Sequence, residues 1–152
     1  MFFRTAKTTF ALFTVLSMTV ALLGTSCKKD DEKTTKDYLI AHDWKVTEHE
    51  QANVSVIADC EKDDIYTFSK DGSHAFDQGN TKCFQTDLQQ LPGTWALSSS
   101  TDPETLTITY ESGLRNAIEG QVTELAEDRF VVTREYTAGG ITIKDEYTFE
   151  KF

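Results

Sequence analysis

At 152 residues the chain is long enough for one domain and not two, and 25 acidic against 15 basic side chains give it a net charge of −10. The first 26 residues hold two cations, Arg4 and Lys7, and no acid, so the remainder carries 13 basic against 25 acidic side chains, a net charge of −12. Such a surface repels phosphate backbones and anionic headgroups within a Debye length, and no basic stripe interleaved with aromatics offsets it; nucleic-acid binding is excluded.

Phe10 to Leu23 form a run of 14 residues, apolar apart from Thr14, Ser17 and Thr19. A bilayer-crossing helix needs roughly 20. The charged start, short apolar run and small-residue end describe a secretory signal over residues 1–26. Leu22-Leu23-Gly24-Thr25-Ser26-Cys27 resembles a bacterial lipobox, with Gly24 where leucine usually stands. The resemblance implies lipidation of Cys27 by diacylglycerol and palmitate, and anchorage in the outer membrane of a Gram-negative bacterium. Several acyl chains, at about 0.8 kcal/mol per buried methylene, make such attachment permanent. Ordinary cleavage that leaves a free thiol is the alternative. Residues 27–36 contain nothing apolar beyond the cysteine and read as a solvated tether. Their Lys-then-acid order resembles surface-export signals of some Gram-negative lipoproteins, which implies outward display.

From Asp37 to Phe152 the pattern is two-residue alternation. A short helical turn is expected at Lys36 to Ala41, then strands at Trp44 to Glu48 and Asn53 to Ile57. Tyr66 to Phe76 reads as a hairpin turning at Gly72, with Tyr66 opposite Phe76 and Phe68 opposite His74. Gly93 to Leu97, Leu106 to Tyr110 and Arg115 to Glu124 are further strands, and Pro92 and Pro103 are expected in loops. Gly139-Gly140 is a two-residue turn signal. It pairs Tyr136 with Ile143, Arg134 with Asp145, Val132 with Tyr147 and Phe130 with Phe149, and on the other face Glu135 with Lys144 and Thr133 with Glu146. One face is then apolar and aromatic, and a one-residue slip would destroy that division. Eight or nine short strands joined by turns are most economically an antiparallel meander closed into a barrel.

Cys60 and Cys83 are the remaining cysteines. In an exported domain an even count means a disulfide, and closing the intervening loop stabilises by about 3 kcal/mol. Only His74 lies between them, too few soft or imidazole ligands for zinc.

These features together resemble the bacterial lipocalin-like lipoproteins, a calycin-type family. The residues that carry the likeness are Leu39 to Trp44, Cys60 with Asp63-Asp64, Phe68 to Gly72, Cys83, Gly93-Thr94-Trp95 and the strands from Leu106 on. The stretch before Trp44 lacks the family's usual glycine. The resemblance implies a meander barrel of about eight strands over residues 37–152, able to hold a small, mostly apolar molecule.

Trp44, Phe68, Phe76, Trp95, Tyr110 and Tyr147 are expected inside. A barrel of eight strands is only just wide enough to be filled by side chains or to hold one small ligand, so these rings are either core or ligand wall. Arg134 and Asp145 point the same way as Phe130 and Phe149. They are either a polar patch of a ligand cavity or, the preferred reading, an ion pair at the rim or an Arg laid on a Trp face. His42, His49 and His74 make no metal set. Asp59, Glu61, Asp63, Asp64 and Asp71 lack calcium-loop spacing and read as solvated surface. No nucleophile with an adjacent base occurs, so neither catalysis nor a cofactor is expected. The function expected is a cell-envelope lipoprotein binding a small hydrophobic or amphipathic ligand. The alternative is a solid barrel serving as a protein-interaction or structural module of the outer-membrane surface.

Overall fold

The computed structural model describes residues 33–111 and 115–152. The expected signal segment, Cys27 and most of the tether lie outside the described residues. Helix α1 (Thr35–Leu39) comes first, started by a capping box: the Thr34 hydroxyl accepts from the Asp37 N–H at 3.3 Å, and the Asp37 carboxylate accepts from the Thr34 N–H at 2.9 Å. Five residues cannot hold a helix alone, and tertiary packing supplies the rest. Leu39 is wholly buried, and its carbonyl accepts the indole N–H of the equally buried Trp44 at 2.8 Å.

Nine strands follow: β1 (Asp43–Gln51), β2 (Val54–Ser55), β3 (Ile65–Phe68), β4 (Ser73–Asp77), β5 (Gln90–Ser98), β6 (Thr105–Tyr110), β7 (Ile118–Leu125), β8 (Arg129–Ala138) and β9 (Ile141–Lys151), with a 3-10 turn at Asp59–Glu61. All pair antiparallel in a meander, and β1 pairs with β9 from Trp44↔Lys151 to Gln51↔Asp145. The eight strands β1 and β3–β9 thus close a barrel, with β2 an extra strand folded back on the end of β1. The fold is all-β, as expected, and both hairpin registers are as read from the sequence, pair for pair. Gly139 and Gly140 take φ of +59° and +80°, the left-handed geometry the two-residue turn requires.

Three expectations need correction. The strand expected at Asn53 to Ile57 is only Val54–Ser55, and β7 begins at Ile118, not at Arg115. Pro92 sits within β5, opposite Ala75, not in a loop. Its carbonyl accepts from the Glu111 N–H at 3.0 Å, one residue past the end of β6, so the missing donor falls where that ladder has finished. The third concerns alternation itself. β1 carries a bulge between Val46 and Glu48, which adds one residue and reverses the facing of everything after it. His49, which strict alternation from Trp44 sends outward, turns in beside Tyr147, with the rings stacked at 3.9 Å.

The interior is packed with rings. Trp44 meets the edge of Phe130 at 4.8 Å, Phe130 stacks on Phe149 at 4.3 Å, and Phe68 abuts Trp95 at 5.3 Å. Trp95 donates its indole N–H to the Ser69 carbonyl at 2.9 Å, tying β5 to the β3–β4 turn. One row across four strands runs Phe68, His74, Gly93, Tyr110. Gly93 supplies the space in that row. A Cβ there would stand 1.9 Å from the Thr109 carbonyl oxygen and 2.9 Å from the His74 ring. Gly93→Ala is expected to cost on the order of 3 kcal/mol, because a strand must move to relieve the overlap. Gly139→Ala meets no atom within 4 Å and carries only left-handed strain, about 1 kcal/mol. Urea unfolding of the two variants checks the ordering.

Candidate functional site

At the end of the barrel where β3 begins and β4 ends, two loops face each other across a cleft of about 810 Å³. The Cys60–Cys83 disulfide joins them, with Cα atoms 5.2 Å apart. The loop that follows β4 is further held by its own polar groups. The Gln78 amide donates to the Leu88 carbonyl at 2.9 Å, Lys82 to the Asp87 carbonyl at 2.8 Å, and the Asp87 carboxylate accepts from the Phe84 N–H at 3.0 Å. The Asp63 carboxylate accepts the N–H groups of Asn80 and Thr81 at 2.8 and 3.0 Å. So pinned, the loop leaves two large apolar side chains in solvent, Phe84 at 70% exposure and Leu88 at 53%. Both line the cleft, with Leu91 beneath them.

Arg115 forms the cleft's inner boundary. Its guanidinium donates to Asp64 and to Glu61, each at 3.1 Å, and lies 4.1 Å above the Phe76 ring. Burial lifts the Asp64 carboxyl to about 6, against the pull of Arg115. Behind Arg115 is a void of about 20 Å³, bordered by His49, Asp64, Tyr66 and Tyr147 and large enough for a single water. Burial pushes the Tyr147 hydroxyl up to about 12 and the Tyr66 hydroxyl well above its ordinary value.

Beside this void the Arg134–Asp145 pair forms as the hairpin register implies. Arg134 Nε and Nη2 donate to Asp145 at 2.7 and 2.6 Å, and His49 Nε2 stands 2.8 Å from the other carboxylate oxygen. Asp145 is 1% exposed and Arg134 41%, so the acid is buried and the base reaches the rim. The guanidinium lies over the Tyr136 ring, at 5.3 Å, not over a tryptophan. Arg134 also borders a polar groove of about 720 Å³ on the outer face of β7 and β8.

The residues singled out in the sequence therefore fall into two groups. Trp44, Phe68 and Trp95 are at most 5% exposed and border none of these spaces; they are packed core. Tyr110 is buried against His74 and Phe76, its hydroxyl without a partner among the described residues. Tyr147, Arg134 and Asp145 stand at the mouth. Arg115, Phe84 and Leu88 were not singled out. The available signal was two isolated apolar residues, Phe84 and Leu88, in a polar stretch directly after a bridged cysteine.

A sequence model of the lipocalin-like domain matches residues 40–132. The chain belongs to the lipocalin-like domain family. No curated protein matches it. In this lipocalin-like barrel the family match ends within β8, so the Arg134–Asp145 hairpin lies beyond the matched segment, while both loops of the mouth cleft lie within it.

His74 is 3% exposed between Tyr66, Phe68 and Tyr110, and neither ring nitrogen has a hydrogen-bond partner among the described residues. Burial lowers its pKa to about 4. The unfolded chain therefore binds that proton first, and the stability contributed by neutral His74 is lost as pH falls from about 6.5 to about 4. Asp64 acts in the opposite sense: the folded state keeps a proton that the unfolded chain releases, so its contribution falls as pH rises from about 4 to about 6. The stability difference from the parent is expected to move in favour of His74→Leu as pH falls through this window, and in favour of Asp64→Asn as pH rises through it, by up to about 3 kcal/mol each. Urea titrations at pH 4.5 and 6.5 check both signs. At the rim, Arg134→Met should cost about 3 kcal/mol by leaving the buried Asp145 with His49 alone, and Arg134→Met with Asp145→Leu should cost less than that single change.

Proposed function

We propose that the chain is a cell-envelope lipoprotein that holds a small amphipathic ligand across the mouth of its lipocalin-like barrel. The mouth cleft carries this reading. Exposed apolar side chains normally cost solubility, yet Phe84 and Leu88 are held out in a loop fixed by a disulfide and several hydrogen bonds. A pinned loop loses little entropy when a ligand arrives, which favours binding. The cleft has the size of a small-molecule site and mixes apolar walls with a few polar groups. The ligand sits above the aromatic core, because Trp44, Phe76, Phe130 and Phe149 already occupy the lumen with no exposure. The proposed role is binding, without catalysis or cofactor. Envelope attachment rests on the residues before Cys27 and on that cysteine.

A second reading has support of its own. The filled lumen, with Val54 and Ile141 exposed at 62% and 69%, also suits a solid barrel that meets a protein partner.

Native mass spectrometry of the full chain purified from cells decides between them. A bound small molecule, lost on denaturation, reduced in Phe84→Ser/Leu88→Ser and retained in Arg134→Ala, is the expected outcome. A bare mass on every preparation turns the assignment to the solid-barrel module. Cys27→Ser is expected to abolish incorporation of alkyne-tagged palmitate and release the protein from the membrane fraction; retention of the label refutes the anchor.

A further inference from the structure

The chemistry of the mouth narrows the class of ligand; this step rests on the mouth-binding reading above. We propose that the cleft selects amphiphiles with a positively charged head, an ammonium group on an apolar tail. Arg115, the one cation lining the cleft among the described residues, is already paired. Its two terminal nitrogens are already engaged, one by Asp64 and one by Glu61, each at 3.1 Å. An anionic head could use the remaining N–H groups of the guanidinium only by lying beside Glu61 and Asp64, whose charges already offset that of Arg115. That sets anions side by side in a half-buried cleft, and pushing aside Asp64, 3% exposed at its side chain, would strand a buried acid.

A cationic head displaces nothing. Glu61 accepts from Arg115 on one oxygen and from the Ala58 N–H at 3.0 Å on the other, and each carboxylate oxygen has lone pairs for more than one donor. Asp87 stands across the cleft with one oxygen on the Phe84 N–H. The cleft lining therefore holds Glu61 and Asp87 against the single, already paired Arg115. The long-range field has the same sign, since the chain beyond residue 26 carries a net charge of −12. Such a field draws cations toward the mouth and repels anions before contact. Phe84, Leu88 and Leu91 then cover the tail.

The test is equilibrium dialysis of three ligands with one tail and different heads: decylammonium, decyl sulfate and decanol, each below its micelle-forming concentration. The protein is the full chain carrying Cys27→Ser. Decylammonium is expected to bind about tenfold more tightly than decyl sulfate, with decanol between them. Glu61→Gln should weaken decylammonium several-fold, leave decanol unchanged and strengthen decyl sulfate, because it removes one of the two charges that offset Arg115. Glu135→Gln, on the outer face of β8, should change none of the three. Phe84→Ser/Leu88→Ser should weaken all. Equal or tighter binding of decyl sulfate to the parent chain overturns the head-group proposal and leaves the mouth site standing. A loss of decylammonium as large in Glu135→Gln as in Glu61→Gln also overturns it, since the attraction would then be diffuse. Failure of all three ligands to bind removes the mouth site itself.

Discussion

The seam between β1 and β9 is the constraint from which the rest of this molecule follows. Without it the meander would be an open sheet with two free edges, each a template for pairing with another chain. With it, residues far apart in sequence share one wall: Trp44 stands opposite Lys151 and Gln51 opposite Asp145. The bulge in β1 lies on that seam. It turns His49 inward against Tyr147 and Asp145, and so gives a buried carboxylate a second partner besides Arg134. Closure, inward rotation and a doubly partnered acid are one event in the geometry.

The barrel divides along its axis into a dry half and a polar half. In the dry half Phe130 stacks on Phe149, and both tryptophans send their indole N–H groups to backbone carbonyls. In the other half Arg115, Asp64, Glu61 and His49 border a space no larger than a water, and His49 in turn meets the buried Asp145. Charges this close to a core persist because they are paired, and removing one partner costs more than removing both. His74 marks the boundary: it is buried among rings like a core residue, yet burial keeps its imidazole neutral down to about pH 4.

The strands were largely legible because alternation is a two-residue pattern, kept throughout β6 and broken on the inward faces of β8 and β9 only by the paired Arg134 and Asp145. Gly72 and Gly139-Gly140 set two hairpin registers to the residue. What was not legible has a common physical cause. A bulge leaves no trace in the alternation before it, so the facing of His49 could not be read from β1 alone. Pro92 looks like a loop residue because a proline is tolerated in a strand only where the neighbouring ladder ends, and that depends on where β6 stops, just before Glu111. Arg115 finds Asp64 and Glu61 across more than 50 residues, and no local pattern announces such a meeting. The cleft, made from two loops and a crosslink, is the least local feature and was the least visible.

Helix α1 packs beside Trp44, at the end of the barrel opposite the disulfide-linked loops. The described chain therefore enters the domain from beneath. Seven residues lie between Cys27 and the start of α1, a span of at most about 28 Å when fully extended. If Cys27 is acylated as proposed, that reach ties the end of the barrel that holds α1 to within about 28 Å of the lipid. The cleft between the disulfide-linked loops would then belong to the end of the barrel that the tether does not hold.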